Sequence, residues 1–212
     1  MIGVDLVKRM DEPRIMRAVV DHFVALTPFV NTFMYRVGQV IGNRRNVEQL
    51  LEERQLLALF PEGARGNTKL YRDRYKLQPF HVGFVELSLR FRAPIVPTAV
   101  LGAEEQAPIL HDIRPLARLL SLPAFPITPT FPWLGPVGLL PYPVRYHIVY
   151  GEPFFFFESY GPEDAERPEL VRRLAETVQM RVQEMVDDGL RRWGSFGLGA
   201  QAEWREELET MA

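Results

Sequence analysis

An apolar run, Leu56-Leu57-Ala58-Leu59-Phe60, stops at Pro61 and gives way to Glu62-Gly63-Ala64-Arg65-Gly66-Asn67-Thr68-Lys69. A short apolar run bounded by Pro and Gly reads as a buried strand. The polar cluster then lies just past the carboxyl end of that strand, where open α/β sheets hold their ligands. Glycine lets backbone approach a ligand closely, and Arg65 offers a planar fork suited to phosphate. From these residues alone, the stretch equally fits a strand-to-loop turn with a surface ion pair between Glu62 and Arg65.

The rest of the chain alternates strand and helix signals. Met1 to Met10 reads as the tail of an amphipathic helix, with Ile2, Leu6 and Val7 on one side. Ile15 to Phe23 reads as a strand and its exit, Pro28 to Val37 as a helix, and Gln39 to Ile41 as a short strand. Asn43 is placed to cap a helix from Arg44 to Arg54 that buries Val47, Leu50 and Leu51. Phe80, Phe84, Leu87 and Phe91 recur at helical spacing over Pro79 to Phe91. Pro94 to Leu101 and Val144 to Tyr150 read as strands. Glu163 to Leu190 reads as a long helix with Leu170, Leu174, Val178, Val182, Met185 and Val186 on its apolar face. This alternation predicts an α/β fold, a mixed and partly parallel sheet flanked by helices. One domain over 1–192 is expected, followed by a loosely attached tail over 193–212.

Composition narrows the function. The chain has 212 residues, 47% of them apolar, which suits a globular core. A net charge of −2 gives no general basic field for nucleic acid. Cysteine is absent, which removes disulfides, thiolate zinc sites and cysteine nucleophiles. No signal peptide and no apolar helix long enough to span a bilayer are visible. A P-loop is excluded on spacing, because Gly66 is followed by Asn67 and not lysine. Leu119 to Val144 carries no formal charge, many prolines, and Phe125, Phe131, Trp133 and Tyr142. It fits a long loop packed over the sheet, or an apolar surface that meets lipid or an acyl chain.

Three blocks together resemble the glycerolipid and lysophospholipid acyltransferases. Phe60-Pro61-Glu62-Gly63-Ala64-Arg65 resembles the family's Phe-Pro-Glu-Gly-x-Arg block. Gly38-Gln39-Val40-Ile41-Gly42-Asn43-Arg44 resembles its glycine, short strand and arginine. Pro94-Ile95-Val96-Pro97 resembles the block that shapes its acyl or acceptor pocket. The resemblance implies acyl transfer in phospholipid biosynthesis, from a thioester of coenzyme A or acyl carrier protein. The acceptor would be a glycerol phosphate or lysophospholipid. It further implies that Arg65, with Arg44 and Lys69, holds phosphate, and that Glu62 orients the acceptor or Arg65 beside Gly63. No metal or redox cofactor is implied. A peripheral position on the cytoplasmic face of a membrane is expected. Glu104 and Glu105 read as helix-start residues.

The family's proton chemistry uses a His-x-x-x-x-Asp block placed before all of these. None of His22, His81, His111 and His147 has aspartate five residues later. Glu86 and Glu152 stand at that spacing from His81 and His147. Both follow the phosphate-binding block, and a separation of five on a helix turns two side chains apart. His22, at a strand exit, is the better stand-in. The chain is therefore expected to be a truncated domain that binds but transfers poorly, the block being encoded just before Met1. A non-catalytic lipid- or membrane-binding protein is the competing reading. In-frame DNA upstream of Met1 is expected to encode His-x-x-x-x-Asp; a frame without it overturns the wrong-start explanation.

Overall fold

Prolines and glycines cut the chain into short elements. The structure, a computed structural model, describes residues 2–9, 14–20, 36, 38–119 and 125–194. In chain order the elements are α1 (Ile2–Arg9), β1 (Met16–Val20), β2 (Val40–Ile41), α2 (Arg44–Glu52), β3 (Leu56–Ala58), α3 (Ala64–Asn67), α4 (Gly83–Phe91), β4 (Thr98–Leu101), β5 (His111–Asp112), α5 (Arg114–Leu119), β6 (Pro126–Ile127), β7 (His147–Tyr150) and α6 (Pro168–Trp193). The fold is mixed α/β, with a parallel sheet, flanking helices and a long C-terminal helix. Its contacts separate two units: residues 1–63, 79–95 and 153–177, and residues 64–78, 96–152 and 178–212.

The first unit holds the parallel sheet, in strand order β2-β1-β3. Val19 pairs with Val40 and Val20 with Ile41 on one side of β1; Met16, Arg17 and Ala18 pair with Leu56, Leu57 and Ala58 on the other. Parallel neighbours need a crossover, and α2 supplies the one between β2 and β3. Asn43 starts α2, its side chain accepting the Arg45 N–H at 3.0 Å. Val47 is the buried residue of that helix.

Helix α4 packs on the 3-10 turns Phe156–Glu158 and Pro162–Glu166 and on the first turns of α6. The core there consists of Val85, Leu89, Ala165, Leu170, Val171, Leu174 and Ala175. This corrects the expected helix over Pro79 to Phe91. It begins at Gly83, and the His81 N–H before it bonds the Pro61 carbonyl at 2.8 Å. The deepest residues are Val85, Ser88 and Leu89, while Phe84, Leu87 and Phe91 are half-buried. One step along a helix rotates the face by about 100°.

In the second unit β4 and β7 pair antiparallel, from Thr98 opposite Tyr150 to Leu101 opposite His147. Val178, Val182, Met185 and Val186, on the later turns of α6, are buried here with Ala99 and Leu101. β5 and β6 form a second antiparallel pair. Gly102 sits at φ +93° just beyond β4, where a Cβ would lie 2.0 Å from the Arg145 carbonyl oxygen. Among the described residues no helix is long and apolar enough to cross a membrane. The expected strand exit at His22, the helix over Pro28 to Val37 and most of the expected tail lie outside the described residues. Gly102→Ala is expected to lower the unfolding free energy by at least about 2–3 kcal/mol, read by urea denaturation.

Candidate functional site

Parallel pairing puts the carboxyl ends of β1, β2 and β3 at one edge of the sheet. Gly42, Asn43 and Arg44 leave that edge from β2, and Leu59 to Gly63 leave it from β3. The chain reverses through Phe60 to Gly63, where the Gly63 N–H donates to the Phe60 carbonyl at 3.0 Å. Gly63 adopts φ +59°, a left-handed conformation open to glycine at little cost. Glu62 occupies the turn and is half-buried. A Cβ on Gly63 would lie 3.4 Å from Nε2 of His81, so the imidazole rests against the turn. The His81 N–H holds the Pro61 carbonyl at the same place.

His81, with Glu86 five residues on, is set aside in sequence because it follows the phosphate-binding block and reads as helical; in the structure it precedes α4. Its hydrogen bond to Pro61 joins segments about twenty residues apart only in the folded state. Arg44 is the first residue of α2, with its side chain exposed and its Nε donating to Glu48 Oε1 at 2.9 Å. That carboxylate raises the pKa of the guanidinium above its ordinary value, first by the hydrogen bond and then by charge.

In the second unit Arg65 lies on α3, exposed and without an ion-pair partner among the described residues. Thr68 closes the helix, its hydroxyl donating to the Ala64 carbonyl at 3.0 Å. Lys69 points inward. Its ammonium donates to Glu104 Oε1 at 2.7 Å and to the Lys76 carbonyl at 3.0 Å, and its side chain is only 7% exposed. The phosphate-binding role expected of Lys69 thus competes with an internal ion pair, one no local spacing signals.

Glu104 and Glu105 start no helix, which corrects their reading as N-terminal residues; the chain there forms turns. Glu104 Oε2 accepts the Tyr75 N–H at 2.8 Å, and Glu105 Oε2 accepts the Tyr75 hydroxyl at 2.5 Å. The Tyr75 oxygen in turn accepts the Gly102 N–H at 3.0 Å. Gln183 on α6 grips the same turn, bonding the Tyr75 carbonyl and the Leu77 N–H, each at 2.9 Å. Burial, and then the Glu105 carboxylate, pushes the Tyr75 hydroxyl far above its ordinary pKa. It stays neutral and keeps donating.

Two other histidines among the described residues have other settings. His147 on β7 stacks on Trp193 at 4.8 Å, and desolvation, then Arg145, pushes its pKa down. His111 lies exposed on β5. Among the described residues no three or more His, Cys, Asp or Glu gather as metal ligands.

Removing one member of a buried ion pair strands the other, so Glu104→Ala is expected to cost about 3–5 kcal/mol. The double change Lys69→Met with Glu104→Leu is expected to recover much of that; urea unfolding checks both. Unfolded, Tyr75 ionises near pH 10, whereas folded it keeps its proton. Its contribution is therefore complete below about pH 10 and declines as pH rises beyond it. Stability of the unchanged chain should fall more steeply above about pH 10 than that of Tyr75→Phe, itself weaker at neutral pH by about 1–3 kcal/mol. Parallel curves in alkali would contradict this.

Residues 1–101 match the Acyltransferase family model. Uncharacterized proteins of Mycobacterium tuberculosis H37Rv and Mycobacterium bovis are each 40% identical to the chain over 172 residues, covering 81% of it and 48% of each relative. An uncharacterized protein of Mycobacterium leprae is 38% identical over 172 residues, covering 81% of the chain and 47% of the relative. The chain spans about half the length of the curated relatives it matches. PlsC, the 1-acyl-sn-glycerophosphate acyltransferase of Thermotoga maritima, is a structural neighbour at 14% identity and TM-score 0.43, with 86% of this chain and 69% of that one covered.

Proposed function

We propose that this chain, whose residues 1–101 match the Acyltransferase family model, binds a glycerol phosphate or lysophospholipid as acceptor for an acyl group. The donor is an acyl thioester of coenzyme A or acyl carrier protein. The observation that carries the reading is the Phe60–Gly63 turn at the carboxyl edge of a parallel sheet, followed on α3 by an exposed arginine with no ion-pair partner among the described residues. A guanidinium in that state has its donors available for a phosphate. Arg44, leaving the same sheet edge as the turn, is a further cation in reach of solvent. Glu62 orients the acceptor from the turn. Lys69 supports the scaffold through Glu104 and is not assigned to the phosphate.

Acyl transfer breaks the thioester C–S bond and forms an ester bond to the acceptor oxygen, while the hydroxyl proton passes to a base. Histidine suits that task near neutral pH, oriented by a carboxylate. No histidine of this chain stands in the family's His-x-x-x-x-Asp arrangement. We therefore assign the chain binding with slow transfer, a missing base costing roughly a hundred- to ten-thousand-fold in rate. The protein would work at a membrane surface on the cytoplasmic side, where acceptor and donor meet.

The second reading is a lipid-binding protein that keeps the acceptor site without transfer. Calorimetric titration with lysophosphatidate is expected to show binding that Arg65→Gln weakens about 10- to 100-fold. His81→Gln tests the imidazole at the turn in the same assay. No binding by the unchanged chain would overturn both readings. Rapid release of free thiol from acyl-coenzyme A in the presence of acceptor would overturn the slow-transfer assignment alone.

A further inference from the structure

The segment from Phe131 to Leu140 presents large apolar side chains to solvent. Trp133 is 80% exposed, Leu134 59%, Val137 63% and Leu140 66%. Single exposed apolar residues are ordinary, but four within eight positions form a patch that marks a partner. Leu110 is also exposed, and its N–H bonds the Ile127 carbonyl at 2.8 Å, beside the base of the segment.

The segment is internally built, which separates it from a slack loop. The Thr128 and Thr130 hydroxyls both donate to the Gly138 carbonyl, at 3.3 and 2.8 Å. The N–H groups of Thr130 and Phe131 bond the Thr128 hydroxyl oxygen. Those of Leu134, Gly135 and Leu140 bond the carbonyls of Thr130, Pro132 and Val137. Pro129, Pro132 and Pro136 have no N–H to satisfy. A backbone so paired can enter an apolar medium without stranding these donors, the condition hydrocarbon imposes on any chain.

Charge indicates which apolar medium. No acidic or basic residue lies between Arg118 and Arg145. Arg114 and Arg145 are both exposed at the borders. Arg114 follows β5, whose pairing with β6 places it at the base of the segment, with Asp112 3.9 Å away. An uncharged tip bearing Trp between arginine borders complements a bilayer whose anionic headgroups lie above its acyl chains.

We propose that the Phe131–Leu140 segment is a membrane wedge that inserts Trp133, Leu134, Val137 and Leu140 into the headgroup boundary of an anionic bilayer. The inference rests on the acyltransferase reading only in preferring lipid to protein as the partner.

Co-sedimentation of the 212-residue chain with vesicles of phosphatidylcholine and phosphatidylglycerol tests it. Binding is expected, with weaker binding to pure phosphatidylcholine and at high salt. Trp133→Ser combined with Leu140→Ser should lower partitioning at least about tenfold. Both side chains are exposed, so a retained urea midpoint shows that the variant folds. Vesicles should shift tryptophan emission to the blue in the unchanged chain and not in Trp133→Phe. Unchanged partitioning of the double variant, or an unmoved emission, overturns the wedge. So does an oligomer that the double variant disperses, since the patch would then meet a second copy. The Trp133→Ser, Leu140→Ser variant should still bind lysophosphatidate in the calorimetric titration, so loss of acceptor binding and failure of the wedge are separate results.

Discussion

Parallel pairing on both sides of β1 decides where chemistry in the first unit can stand. Were one neighbour of β1 antiparallel, the carboxyl ends of β2 and β3 would lie at opposite edges. Parallel ones send Gly42-Asn43-Arg44 and Phe60 to Gly63 to the same edge. The price is a crossover between β2 and β3, and α2, capped by Asn43, provides it. The turn that closes over Gly63 then receives His81 because a main-chain hydrogen bond to Pro61 holds the approach to α4 against it.

In the second unit, polar burial does the work that apolar burial does around α4. Lys69, Tyr75, Glu104, Glu105 and Gln183 form a connected set in which donors meet acceptors at 2.5 to 3.0 Å. Such a network is costly to leave half-made, so it specifies one arrangement of the turn after α3. Tyr75 lies within it at φ +64°, a conformation unfavourable to a non-glycine residue unless the surroundings over-determine it. Arg65 stays outside the network, and a cation left exposed beside a rigid turn can meet an incoming anion.

Local pattern was informative wherever it was periodic and dense. The buried residues of α6, from Leu170 through Val186, fall where helical spacing places them. Asn43 caps the helix it was expected to cap, and β1, β2, β3, β4 and β7 fall within apolar runs. The α4 face was misplaced because bulky Phe residues mask the smaller Val85 and Ser88 that reach the core. Glu104 and Glu105 were misread because acidic residues after a strand suit a helix start equally well. Only their contacts with Lys69 and Tyr75 distinguish the two cases.

The sequence by itself determined the fold class, the strand Leu56–Ala58, the turn at Gly63 and the match to the Acyltransferase family model over residues 1–101. These rest on short-range causes: apolar periodicity, proline's missing donor and glycine's freedom at positive φ. Tertiary structure alone decided that Lys69 turns inward while Arg65 stays in solvent, and that His81 reaches Gly63. It also decided which residues of the uncharged segment stand exposed. The physical reason is common to all of these. A side chain's charge and size are written locally, but its partner is chosen by burial and hydrogen bonding between segments distant along the chain.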